Sequence, residues 1–103
     1  MKYCMIEVAF DKREEVEQVG KCLLDKHLVS SCQVVESNSV WNYKGERETA
    51  KEYLLFLKTR IDLQKEIYQE IRKIHSYECF EFAVFPFTSC SDSYLNWIGE
   101  ETR

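Results

Sequence analysis

With 103 residues, 45% of them hydrophobic and 31% charged, the chain is long enough for one core that needs no disulfide or metal staple. Its 14 basic and 18 acidic residues leave a net charge of −4 and no Lys/Arg-rich run, which excludes the concentrated cationic footprint of a nucleic-acid binder. No apolar stretch approaches the ~20 residues of a membrane span.

The opening MKYCMIEVAFDKREE lacks a signal-peptide layout, because its apolar run is short, interrupted by an acid and followed by charge. Five cysteines (Cys4, Cys22, Cys32, Cys79, Cys90) form an odd set without CxxC spacing, which suits reduced thiols and a cytoplasmic location. Tyr3 to Phe10 is nearly unbroken apolar sequence and reads as a central strand buried on both faces. Asp11 can cap the helix that follows, with Glu14 and Glu15 in its first turn, where the dipole favours acids. Val16, Val19, Gly20, Leu23, Leu24 and Leu28 fall at helical spacing and form its core-facing stripe.

Ser31 to Arg60 is predicted to be one long hairpin. Its first arm carries Val34, Val35, Val40, Trp41 and Tyr43, its second Tyr53 to Leu57, and Lys44-Gly45 supplies the turn. Arms of a dozen-odd residues rising ~3.3 Å each span roughly 40 Å. A globule of this length, with a radius of gyration of ~13 Å, is only about 34 Å across. The tip therefore overhangs its own domain, with Trp41 and Tyr43 on one face, and calls for a partner to cover it.

Ile61-Asp62 opens a second amphipathic helix with Leu63, Ile67, Ile71 and Ile74 inward, ending near His75-Ser76. Cys79 to Phe85 reads as the fourth strand, ended by Pro86, the only proline. Ser91 or Asp92 caps a short last helix holding Tyr94, Leu95, Trp97 and Ile98. The order β-α-β-β-α-β plus a terminal helix, over a single domain of residues 1–103, predicts an α+β fold. This is a ferredoxin-like antiparallel sheet with both helices on one face and its first and third strands central.

Five segments in this order resemble the CutA divalent-cation tolerance family: Ser30-Ser31-Cys32-Gln33-Val34, Ser39-Val-Trp-Asn-Tyr-Lys-Gly45, Leu57-Lys58-Thr59-Arg60, His75-Ser76-Tyr77-Glu78, and Tyr94-Leu-Asn-Trp97-Ile98. The resemblance covers nearly the whole chain. It implies a homotrimer with each hairpin tip wrapped onto a neighbour, a role in metal tolerance (notably copper), no catalysis, and an architecture like that of the PII signalling proteins. The chain departs from the family pattern at Ser76, where a proline is usual, at Cys79-Phe80, where Val-Pro is common, and at Asn42, which interrupts an aromatic pair.

The candidate metal ligands are Cys32, His75 and Glu78, since imidazole and thiolate suit copper or zinc and a carboxylate can bind directly or support them. The helix dipole at His75 favours its protonated form. The opposing readings are that His75 caps carbonyls at a subunit interface and that Cys32 is a small buried hydrophobe. Tyr77, Cys79 and Lys58 are further cleft candidates, Lys58 through an ion pair with Glu78 or Glu81 or by holding an anion. Trp41, Tyr43, Tyr94 and Trp97 are expected to anchor the trimer interface. No serine-histidine-aspartate arrangement, phosphate loop or nucleotide fingerprint is present, so no enzyme activity and no organic cofactor are expected. The leading expectation is a homotrimer binding copper or another divalent cation. The alternative is a PII-like trimer that takes a small anionic metabolite through Lys58.

Overall fold

Alternation along the strands sets the architecture of the chain, described over residues 2–103 in a computed structural model. The elements are β1 (Tyr3–Phe10), α1 (Arg13–Asp25), β2 (Ser31–Tyr43), β3 (Glu46–Arg60), a 3-10 turn (Ile61–Leu63), α2 (Gln64–Ile74), β4 (Phe82–Pro86) and α3 (Asp92–Glu101). They form one antiparallel sheet in the order β2-β3-β1-β4, the ferredoxin-like arrangement expected, with β1 and β3 central.

Cys4, Ile6, Val8 and Phe10 of β1 share a face with Leu55 and Leu57 of β3, and all six are buried. Val16, Val19 and Leu23 of α1 and Ile67 and Ile71 of α2 close over that face to make the core. Two expectations are corrected in α1. Leu24 is 43% exposed, while Leu28, beyond the helix, is buried. Asp11 does not cap: Lys12 holds the cap position in extended conformation, its carbonyl accepting from the amides of Glu15 and Val16.

Burial of the central strands is also one-sided, against expectation. The second face carries Met5, Glu7, Leu54, Phe56, Val35 and Phe85, paired across the strands in register, and it lies open. Val35 and Phe85 are 49% and 47% exposed. The apolar runs read as doubly buried do present two apolar faces, and the protomer covers one of them.

The fourth strand is shorter than expected. Cys79 to Glu81 stay outside it, and Pro86 lies within it opposite Cys4, which an edge strand tolerates because one row of its amides needs no partner. Ser91 holds the cap position of α3 without a side-chain hydrogen bond. This helix buries Ile98 and approaches β1 so closely that a Cβ on Gly99 would lie 2.8 Å from the Tyr3 hydroxyl.

Pairing of β1 with β3 ends at Phe10↔Tyr53, whereas β2 and β3 continue together from Ser37↔Glu52 out to Tyr43↔Glu46. The outer hairpin is thus a two-stranded ribbon, and the molecule measures 44 × 27 × 21 Å. Val40 on this ribbon is 62% exposed. The two-residue turn takes Lys44 at φ 50° and Gly45 at φ 82°, the mirror-image turn whose twist matches the strands. No helix of the described residues is long and apolar enough to cross a membrane.

Nothing lies within 4 Å of a Cβ built on Gly45, so the cost of a side chain there is purely conformational. Gly45→Ala is expected to lower stability by about 1 kcal/mol, read as a lower urea midpoint with an unchanged slope.

Candidate functional site

The overhanging ribbon and the segment from His75 to Glu81 face each other across a cleft of about 880 Å³. Trp41, Tyr43 and Glu48 come from the ribbon, Glu7 and Asp11 from β1 and its exit, Glu52 from β3, and Tyr77, Glu78, Cys79 and Glu81 from the segment after α2. Six carboxylates (Glu7, Asp11, Glu48, Glu52, Glu78, Glu81) thus border one opening, and no Lys or Arg lines it. None of the six makes an ion pair among the described residues. Like charges gathered without counter-charge create a negative potential that concentrates cations.

Two groups in this wall carry the effect of the crowding. Glu52 is only 7% exposed, and its carboxylate accepts from the Tyr77 hydroxyl at 3.0 Å. Burial, then this bond and the Glu52 charge, hold the Tyr77 phenol protonated well above its usual range. Partial burial pushes the Glu81 carboxyl up, helped by the neighbouring Glu7 carboxyl and by the charge of Glu52. A cation arriving here would relieve that repulsion, and carboxylates suit a hard divalent ion.

The sequence-derived ligand set is not gathered in one place. Glu78 lines the cleft, with Tyr77 and Cys79 beside it, but Cys32 and His75 do not line it. His75 is 5% exposed and lies between Phe10 and Phe80, its ring stacked at 4.1 Å and 4.4 Å from theirs. Nε2 donates to the Ala9 carbonyl at 2.7 Å, and Nδ1 accepts from the Tyr77 amide at 3.1 Å. A carbonyl can only accept, so these bonds fix the neutral tautomer with its proton on Nε2 and use both nitrogens. Burial lowers the His75 pKa, against the expected dipole-favoured imidazolium, although the Ala9 bond and the Glu15 charge pull the other way.

Cys32 sits beneath α1, its Sγ 3.9 Å from the Gly20 carbonyl and in van der Waals range of a Cβ on Gly20. Burial pushes its thiol up to about 11, so at neutral pH it is a packed thiol and not a thiolate ligand. Lys58 lies away from the cleft on the open sheet face, where Nζ donates to Gln33 Oε1 at 2.7 Å, not to Glu78 or Glu81. Tyr94 and Trp97 lie against each other on α3, their ring centres 5.6 Å apart and their planes tilted by 36°, while Trp41 and Tyr43 serve as cleft walls. Among the described residues, no three His, Cys, Asp or Glu side chains converge closely enough to hold a metal ion.

Glu78 apart, the acids of the wall escape sequence reading because they come from three separate stretches, Glu7 to Asp11, Glu48 to Glu52 and Glu78 to Glu81. The one local signal is Glu7, a charge inside an otherwise apolar strand, which demands either solvent or a polar site.

The chain matches the family model described as CutA1 divalent ion tolerance protein over residues 4–101. It is 30% identical over 96 residues to the divalent-cation tolerance protein CutA of Thermotoga maritima, an alignment spanning 93% of this chain and 95% of that protein. The periplasmic divalent cation tolerance protein CutA of Archaeoglobus fulgidus superposes with a TM-score of 0.93 at 27% identity, covering 96% of this chain and 97% of that one. The CutA1 structure from Oryza sativa superposes at 0.94 over 100% of this chain and 95% of its own, a likeness of fold at 23% identity.

The lowered pKa of His75 gives an acid-sensitive fold. Unfolding releases the ring to water, where its ordinary value is 6.5, so the unfolded chain binds the proton first. This contribution to stability is full above that value and is lost as pH falls through the folded-state value. Urea midpoints measured from about pH 7.5 down to about pH 5 should therefore drop more steeply for the native sequence than for His75→Gln.

Proposed function

Because the chain belongs to the CutA1 divalent ion tolerance family, we propose that it serves divalent cation tolerance by binding copper or another divalent cation, as a cytoplasmic homotrimer without catalytic turnover. The observation that carries this reading is the cleft, where six carboxylates border an opening that no described Lys or Arg lines. Glu7 and Glu81, neighbours in the wall, would supply part of a hard cation's oxygen ligands, and the exposed Cys79 thiol offers a softer donor for copper. Since no three donors converge among the described residues of one protomer, the reading has a neighbouring subunit complete the ligand set.

Two features support the trimer. The second sheet face presents Met5, Leu54, Phe56, Val35 and Phe85 with nothing over them, and the ribbon carries Val40 and Tyr43 out beyond the core. Isolated two-stranded ribbons are marginal in water, so a second surface is needed to hold this one. Five free cysteines support a reducing compartment, which cell fractionation would check. A metabolite anion finds less support, since Lys58 is bound to Gln33 outside the cleft.

Calorimetric titration of the reduced protein with Zn(II) and Cu(II) tests the site. Saturable binding tighter than roughly micromolar, about 8 kcal/mol, is expected. Glu78→Gln combined with Glu81→Gln should weaken it at least about tenfold, while Cys32→Ser leaves it unchanged. Binding that is absent, or unaffected by the double variant, would sink the cleft as the metal site. Sedimentation velocity should give three times the protomer mass, and a stable monomer would remove the trimer.

A further inference from the structure

Residues His75 to Glu81 supply much of one wall of the cleft, yet they contain neither proline nor glycine and form neither helix nor strand. A segment with no regular structure must still place its carbonyls and hold its shape. Here one side chain accepts that task. The Arg72 guanidinium donates through Nη2 to the His75 carbonyl at 3.0 Å and to the Tyr77 carbonyl at 2.6 Å, and through Nη1 to the Glu78 carbonyl at 2.9 Å. Its Cζ also lies 4.8 Å from the centre of the Phe80 ring, over the aromatic face.

The start of the segment has a second tie. The Ser76 amide and hydroxyl both donate to Glu15 Oε1 on α1, at 3.0 Å and 3.1 Å. His75 itself is extended, at φ −65° and ψ 129°, the conformation that a proline at position 76 would impose on it. The backbone thus keeps a proline-compatible path with a serine in place, and polar contacts do the holding.

We propose that Arg72 is the positioning residue of the cleft, clamping three carbonyls of the segment so that Tyr77, Glu78 and Cys79 project into the opening. Arginine suits this role because its planar fork reaches several acceptors at once, which the single ammonium of lysine does not. The clamp is not core packing: the contacts to Tyr77 and Glu78 lie at or near the surface, where water can replace them. Its loss loosens the segment and leaves the sheet and helices in place. The consequence for cation affinity rests on the function proposed above, but the positioning claim does not.

The test is amide hydrogen exchange on the intact protein, comparing the native sequence with Arg72→Gln and with Arg72→Lys. The Ser76 and Tyr77 amides are held by Glu15 Oε1 and by His75 Nδ1. Their exchange should rise about tenfold in Arg72→Gln, the scale of one charge-assisted hydrogen bond, while α1 and β3 amides stay unchanged. Arg72→Lys should restore only part of the protection, because one ammonium does not reach all three carbonyls. Zn(II) affinity should fall in both variants, most in Arg72→Gln. Unchanged exchange in the segment, a rise shared equally by the core strands, or full protection in Arg72→Lys would each overturn the proposal. Absence of Zn(II) binding in the native protein would instead overturn the cation reading, with the exchange pattern still deciding the role of Arg72.

Discussion

The end of β1 at Phe10 governs the molecule. The sheet is four strands wide up to the Val8↔Phe82 pair and three wide up to Phe10↔Tyr53, with a helix layer over one face. Beyond it, β2 and β3 run on alone, because no further strand exists to pair with them. That mismatch of lengths produces the ribbon, and the ribbon produces the cleft by standing opposite the segment after α2. A shorter hairpin would leave the same core and no cleft. The functional geometry is therefore a by-product of strand length as much as of side-chain choice.

The cleft and the histidine beside it show two opposite uses of burial. His75 is taken out of water and satisfied at both nitrogens, so it is a neutral spacer between two phenyl rings. The carboxylates on the other side of the same segment stay at the opening, where partial burial and the neighbouring Glu7 raise Glu81. One backbone segment thus turns its polar atoms inward for structure and its charged tips outward for potential. Arg72 separates the two jobs by binding the carbonyls between them.

Much of the fold was legible in the sequence because it depends on local periodicity. The helical stripe of Val16, Val19 and Leu23, the alternation in the strands, and the sole glycine of the hairpin at its turn are all short-range signals. Boundaries were less legible, since competition decides them. The Lys12 carbonyl, not the Asp11 side chain, starts α1, and Cys79 to Glu81 stay out of β4 where Arg72 holds the chain. The site was the least legible part. His75 looked like a ligand by residue type, and nothing in the neighbouring sequence shows that Ala9 and Tyr77 occupy its nitrogens. The acids of the cleft are brought together by topology, with Glu7 and Glu81 separated by most of the chain.

The position of β2 at the sheet margin has a kinetic consequence. Its outward backbone groups face no strand from Ser31 to Tyr43, and Val34, Val35 and Val40 lie exposed along it. A newly folded protomer therefore carries a template on which any other extended chain can grow. Correct association must outrun that competing reaction, which makes the yield of native protein a matter of timing and concentration during synthesis. Glu36 and Asn38, set between the valines, act as brakes on the wrong pairing, because a charge or an amide in such a run disfavours the dry stacking of like strands.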